Sequence, residues 1–139
     1  MNDFICFLTH ARDELFRICQ SPSRQEHVGL LLGKDATVER VIGLENLRPM
    51  CHGHGFRIAV DEIEKLRQRH SEFKVLGRFH THPNAPVHPS FSDIRSLPPD
   101  WCEVIVRLSG VWRRPQVAQV YAYRGDNDPV SLVFQDGTA

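Results

Sequence analysis

Hydrophobic and polar positions change their period several times along the chain, and each change marks an element. After a short apolar start at Phe4 to Leu8, the segment Thr9 to Gln20 spaces Ala11, Leu15, Ile18 and Cys19 three and four apart. One face of an amphipathic helix collects residues at that spacing. Ser21-Pro22-Ser23 ends the pattern, and Val28 to Leu32 is an apolar run between turn residues, which reads as a buried strand. Thr37 to Leu44 is rich in β-branched residues and predicts a hairpin with that strand through Gly33-Lys34-Asp35. Pro49 to Gly55 reads as loop and Phe56 to Val60 as a brief strand. Asp61 then caps a helix with Glu64 as reciprocal partner, while Ile63 and Leu66 face inward.

Phe73 to His82, Glu103 to Leu108, Val117 to Tyr123 and Val130 to Phe134 are rich in Val, Ile and aromatic residues and predict four further strands. A helix is expected between the first two, starting near Ser90. Helices alternating with strands, then strands following one another, define an α/β domain with a mixed β-sheet and flanking helices. With 139 residues, no repeat and no dividing linker, residues 1–139 are expected to form one domain around a single core.

Charge narrows the partners. Lys plus Arg and Asp plus Glu number 17 each, so no surplus of cations exists to neutralise phosphates or anionic lipid, and nucleic acid is not expected as a partner. Arg113-Arg114 reads as a solvated basic loop. No stretch approaches the roughly 18 apolar residues of a membrane span, and the start lacks a charged, then apolar leader. Cys6, Cys19, Cys51 and Cys102 are scattered with no Cys-x-x-Cys pair, which fits a reducing compartment and gives the cytoplasm as the expected location.

The chemistry concentrates in His80-Thr81-His82-Pro83-Asn84-Ala85-Pro86-Val87-His88-Pro89-Ser90-Phe91-Ser92-Asp93. Two histidines at i and i+2 of a strand point to the same face, so their imidazoles can meet at one ion. Asp93 follows after a loop stiffened by Pro83, Pro86 and Pro89, which lowers the entropic cost of bringing its carboxylate back. Two imidazoles and one carboxylate suit zinc and leave a fourth position open for water, the arrangement of catalytic rather than structural sites. A His-x-His pair alone is weak evidence among eight histidines. Ser90 and Asp93 also read as the capping box of a helix, a role compatible with metal ligation. Glu26, taken alone, reads as a surface carboxylate at a helix-to-strand junction.

These residues together with Glu26-His27-Val28-Gly29-Leu30-Leu31-Leu32-Gly33 resemble the signature of the JAMM metalloproteases of the MPN (JAB) domain family. That signature has a Glu before a Gly-Leu-Leu strand, then His-Ser/Thr-His-Pro, a Ser seven residues after the second His, and an Asp three further on. Asn46, Phe56 and the Val117 to Tyr123 segment are weaker family landmarks. The resemblance implies the MPN (JAB, cytidine-deaminase-like) fold, with His80, His82 and Asp93 holding Zn2+. It further implies that Glu26 is the general acid/base and that Ser90 hydrogen-bonds the tetrahedral intermediate, a contact worth about 3 kcal/mol.

The brevity of the chain is similar to that of the small prokaryotic members. Those act next to the C-terminal Gly-Gly of ubiquitin-like sulfur-carrier proteins, which makes such a protein the expected partner and a peptide or isopeptide bond the expected substrate. Two other readings stand beside this one: a non-catalytic MPN-type binding scaffold, and a zinc hydrolase of a small amide. A nucleobase deaminase would need a Glu two residues after its ligand His and a downstream Cys-x-x-Cys, and the chain has neither. His52 and His54 flank Gly53 without a partner at metal spacing, His88 sits in the proline loop, and His10, His27 and His70 read as ordinary histidines.

Overall fold

The computed structural model describes residues 4–48, 55–84, 89, 96–125 and 127–135. Its strands are β1 (Phe4–Phe7), β2 (Val28–Lys34), β3 (Thr37–Leu44), β4 (Lys74–Pro83), β5 (Cys102–Ser109), β6 (Gln116–Arg124) and β7 (Asp128–Phe134), with helices α1 (Thr9–Cys19) and α2 (Val60–Arg69). The strands run β1-β3-β2-β4-β5-β6-β7 and return to β1, so the sheet closes on itself. Closure satisfies the backbone donors and acceptors that an open sheet leaves at its edges. The sheet is mixed. β1 lies parallel to both β3 and β7, and β4 is parallel to β5. The pairs β2·β3, β2·β4, β5·β6 and β6·β7 are antiparallel.

Strand alternation sorts the apolar side chains into two clusters. Leu31, Phe79, Val104 and Val106 pack with Ala11, Leu15 and Cys19 of α1. Leu30, Leu32, Ile105 and Tyr123 pack with Leu66 of α2, Leu97 and Trp101. β2 is buried from Val28 to Gly33, which explains why its sequence is continuously apolar instead of alternating. The β2–β3 hairpin forms as expected, turning at Asp35, whose φ is 55°.

Gly29 sits where β2, β3 and β4 press together. A methyl group there would run into the Ile42 carbonyl oxygen and lie 2.5 Å from the Phe79 ring. Gly43, by contrast, has ordinary room, its nearest neighbour being Ile18 Cγ2 at 3.6 Å.

Two local expectations are corrected. Phe56 to Val60 is not a strand: residues 55–59 are irregular and α2 already begins at Val60. The backbone there bonds to side chains and to a neighbouring loop instead of a ladder, with Arg57 N–H donating to Asn46 Oδ1 at 3.1 Å and Leu47 N–H to the Arg57 carbonyl at 2.8 Å. Asp61 is likewise not the cap of α2. The N-cap is Ala59, with no side-chain cap bond, and Asp61 and Glu62 lie within the first turn, where their charge favours the positive end of the helix dipole. The helix expected near Ser90 starts outside the described residues.

Gly29→Ala is expected to lower unfolding free energy by about 1–3 kcal/mol, as overpacking does. Gly43→Ala is expected to stay within about 0.5 kcal/mol of the parent. Urea titration of the two variants checks the contrast.

Candidate metal centre

On β4, alternation turns Arg78, His80 and His82 to one face, while Phe79 enters the α1-side core. The β2–β4 register pairs Val28 with His80, and continuing it backwards sets Glu26 beside His82. Thr81 pins this register. Its Oγ1 accepts the His27 N–H at 2.8 Å, and its own N–H donates to the His27 carbonyl at 3.0 Å. The residue between the two histidines therefore anchors the residue next to Glu26.

His80 Nε2 and His82 Nε2 are 3.0 Å apart. His80 is fully buried, His82 is partly exposed and Glu26 is 7% exposed. One ligand atom from each of Glu26, His80 and His82 lies within 4.8 Å of the others. Glu26 is held from two sides: its Oε2 accepts the Gly55 N–H at 3.0 Å, and its carbonyl accepts Asn46 Nδ2–H at 2.9 Å. Asn46 Nδ2 also donates to the Gly55 carbonyl at 3.1 Å. Gly55 has φ +114°, a backbone state that a side chain would strain. The ring of Phe56 lies 4.8 Å from that of His80. Asn46 and Phe56, the weaker landmarks of the sequence, thus position the acid and cover a histidine.

The structure brings Glu26, His80 and His82 together. Ser90 and Asp93 lie outside the described residues, as do Cys51, His52, His54 and His88. His10 Nε2 meets the Glu39 carbonyl at 2.7 Å and His27 Nε2 the Ser21 carbonyl at 2.8 Å, so both serve local structure.

Two further residues reach the site without having been singled out in the sequence. Glu103 of β5 is fully buried, and its Oε1 lies 2.7 Å from His80 Nδ1. Arg78, 5% exposed, places Nε 2.9 and 3.0 Å from the two Glu103 oxygens. The carboxylate at Nδ1 offers an acceptor to a proton on that nitrogen, and Nε2 of His80 faces Nε2 of His82. Two imidazole nitrogens this close, with a carboxylate alongside, fit a divalent cation with nitrogen and oxygen ligands such as zinc. The only signal for Glu103 was a charged residue opening an apolar strand.

A closed mixed sheet with helices on its faces and a His-x-His pair on a central strand defines a JAB/MPN-fold domain with a candidate metal centre. The family model for prokaryotic homologs of the JAB domain matches residues 8–121, and the chain belongs to that family. A solution structure of a protein from Desulfitobacterium hafniense is similar at 26% identity and TM-score 0.67, covering 95% of this chain and 93% of that one. A JAB1/MPN domain protein from Archaeoglobus fulgidus is similar at 18% identity and TM-score 0.61, covering 94% and 97%. A structure described as a metalloprotease-like zinc site in the proteasome and signalosome has TM-score 0.57 at 16% identity, covering 94% and 97%. Among curated proteins no match is found.

The buried thiols Cys19 and Cys102 stand apart from this chemistry. Burial pushes Cys102 up to about 12, an effect that Arg124 partly opposes and Glu103 reinforces, and burial also raises Cys19. Both stay protonated and weakly nucleophilic at neutral pH. The ordinary thiol value is 9.0, so between about 9 and about 12 the unfolded chain has released protons that the folded chain retains. Their contribution to stability is complete below about pH 9 and lost as pH rises toward about 12. Urea midpoints across this window should fall less steeply in a Cys19→Ala, Cys102→Ala variant than in the parent.

Proposed function

We propose that this chain is a zinc-dependent metallopeptidase or isopeptidase that hydrolyses the bond next to the C-terminal Gly-Gly of a ubiquitin-like sulfur-carrier protein. The observation that carries the reading is the meeting of the Glu26 carboxylate with the His80 and His82 imidazoles within 4.8 Å, on a chain of the JAB family. His80 and His82, with Asp93 as third ligand, would hold the zinc. When bound, zinc acidifies water and polarises a carbonyl as a Lewis acid.

Glu26 handles the proton. Its Oε2 is held by the Gly55 N–H, and the carboxylate takes a proton from the attacking water and delivers it to the leaving amine. Fixing one oxygen keeps the other aimed as the reaction proceeds, the positional advantage that lets an acid/base group act efficiently. Ser90 would donate a hydrogen bond to the oxygen that gains charge in the tetrahedral intermediate. Glycine at the scissile position would let the substrate backbone approach the metal centre closely, where a side chain would crowd. The expected setting is the cytoplasm, consistent with the free thiols Cys6, Cys19 and Cys102.

Two outcomes are expected. Metal analysis of the purified protein should give one zinc per chain, lost in a His80→Ala, His82→Ala variant. Zinc-loaded protein should cut a ubiquitin-like sulfur carrier that has been extended past Gly-Gly, as weighed by mass spectrometry, and Glu26→Gln should slow this by at least about a hundredfold with zinc retained. Cleavage that ignores a Gly-Gly→Ala-Ala change in the carrier would make the enzyme a general peptidase instead.

A further inference from the structure

Arg78, Glu103 and His80 make a buried polar row next to apolar residues of the same sheet face. Parallel pairing sets Arg78 opposite Glu103 and His80 opposite Ile105, and Ile105 packs with Leu30, Leu32, Leu66 and Trp101. Placing two full charges in such surroundings costs several kcal/mol per ion before their attraction is counted, and buried ion pairs are often replaceable by apolar residues with no loss of stability. Packing alone therefore gives no reason for this pair, and its reason lies in what Glu103 touches. Its Oε1 is shared between Arg78 Nε at 2.9 Å and His80 Nδ1 at 2.7 Å.

Arg78 also reaches the chain beyond the proline loop. Its Nη2 donates to Ser96 Oγ at 3.2 Å and its Nη1 to the Ser96 carbonyl at 3.4 Å. The guanidinium carbon lies 4.7 Å from the centre of the Phe56 ring, the same ring that packs against His80. One cation thus neutralises the carboxylate behind His80, braces the aromatic cover of that histidine and ties down Ser96.

We propose that Glu103 and Arg78 are positioning residues for the metal centre: Glu103 holds His80 as the Nδ1–H tautomer with Nε2 aimed at the cation, and Arg78, bonded to both Glu103 oxygens, holds that carboxylate in place. The effect on zinc affinity rests on the metal reading above, whereas the effect on the imidazole rests on the Glu103–His80 hydrogen bond alone. A carboxylate on the far nitrogen of a ligating histidine raises its donor strength and restricts its rotation, and losing such a partner typically weakens metal binding about 10- to 100-fold.

Three variants separate positioning from folding. Glu103→Gln keeps an oxygen that can accept from His80 Nδ1–H but removes the charge. Glu103→Leu removes the acceptor and leaves Arg78 without its carboxylate, so it is expected to be unstable. The double variant Arg78→Met, Glu103→Leu removes the whole ion pair and strands no charge, so its urea midpoint should be near that of the parent. Two measurements apply to each variant that folds: zinc affinity, by competition with a chromogenic chelator, and the His80 tautomer in metal-free protein, by nitrogen-15 NMR at mildly alkaline pH.

The parent should show protonated Nδ1 and bare Nε2. Glu103→Gln should keep this tautomer and bind zinc more weakly. The double variant should show mixed tautomers and bind zinc about 10- to 100-fold more weakly at parental stability. A double variant that folds, keeps the parental His80 tautomer and binds zinc as the parent does overturns the proposal. A parent that shows the Nδ1–H tautomer but binds no zinc overturns the metal reading and the affinity role, while upholding the orientation of His80 by Glu103.

Discussion

The arrangement of the site depends on the register between β2 and β4. Val28 opposite His80 determines that the residues before β2 run alongside the histidine pair, and the two Thr81–His27 hydrogen bonds hold that alignment at the point where β2 begins. A one-residue slip would turn His80 and His82 into the apolar face now filled by Phe79 and present Phe79 and Thr81 to the site, because strand side chains alternate with period two. Gly29 lets the strands approach closely enough for this pairing, since any side chain there meets the Ile42 carbonyl and the Phe79 ring. Packing in the core and placement of the site are therefore consequences of the same contact between strands.

The second constraint is the parallel pairing of β4 with β5. It places Glu103 beside Arg78 and within reach of His80, although the two strands are joined through a long connection. Parallel strands require such a crossover, whereas the antiparallel β2–β3 hairpin needs only a tight turn. The crossover here spans the proline loop and the residues that the sequence marks as Ser90 and Asp93. The topology that builds the sheet thus also carries a carboxylate under one histidine.

Asn46 organises the acid side of the centre. Its amide donates to the carbonyls of Glu26 and Gly55 and its oxygen accepts from Arg48 and Arg57. These bonds satisfy backbone groups that would otherwise need a ladder partner, which is why the segment after Gly55 is irregular despite its β-forming residues. Competition of this kind between side chains and strand pairing escapes propensity arguments, because it depends on residues distant in the chain.

What the sequence by itself determined were the features set by local periodicity and by spacing within one element. α1 follows from the three- and four-residue spacing of Ala11, Leu15, Ile18 and Cys19, and β3 from its β-branched run. The shared face of His80 and His82 follows from strand alternation, and the family resemblance from motif spacing. The tertiary structure decided the rest. Closure of the sheet by β1 and β7 unites residues at opposite ends of the chain. Asn46 draws the Phe56 segment away from strand pairing. The charges of Arg78 and Glu103 were visible from the start, yet nothing in a linear reading separates a buried carboxylate that orients a histidine from a solvated one. That distinction arises only when two strands far apart in sequence lie side by side and exclude water from the space between them.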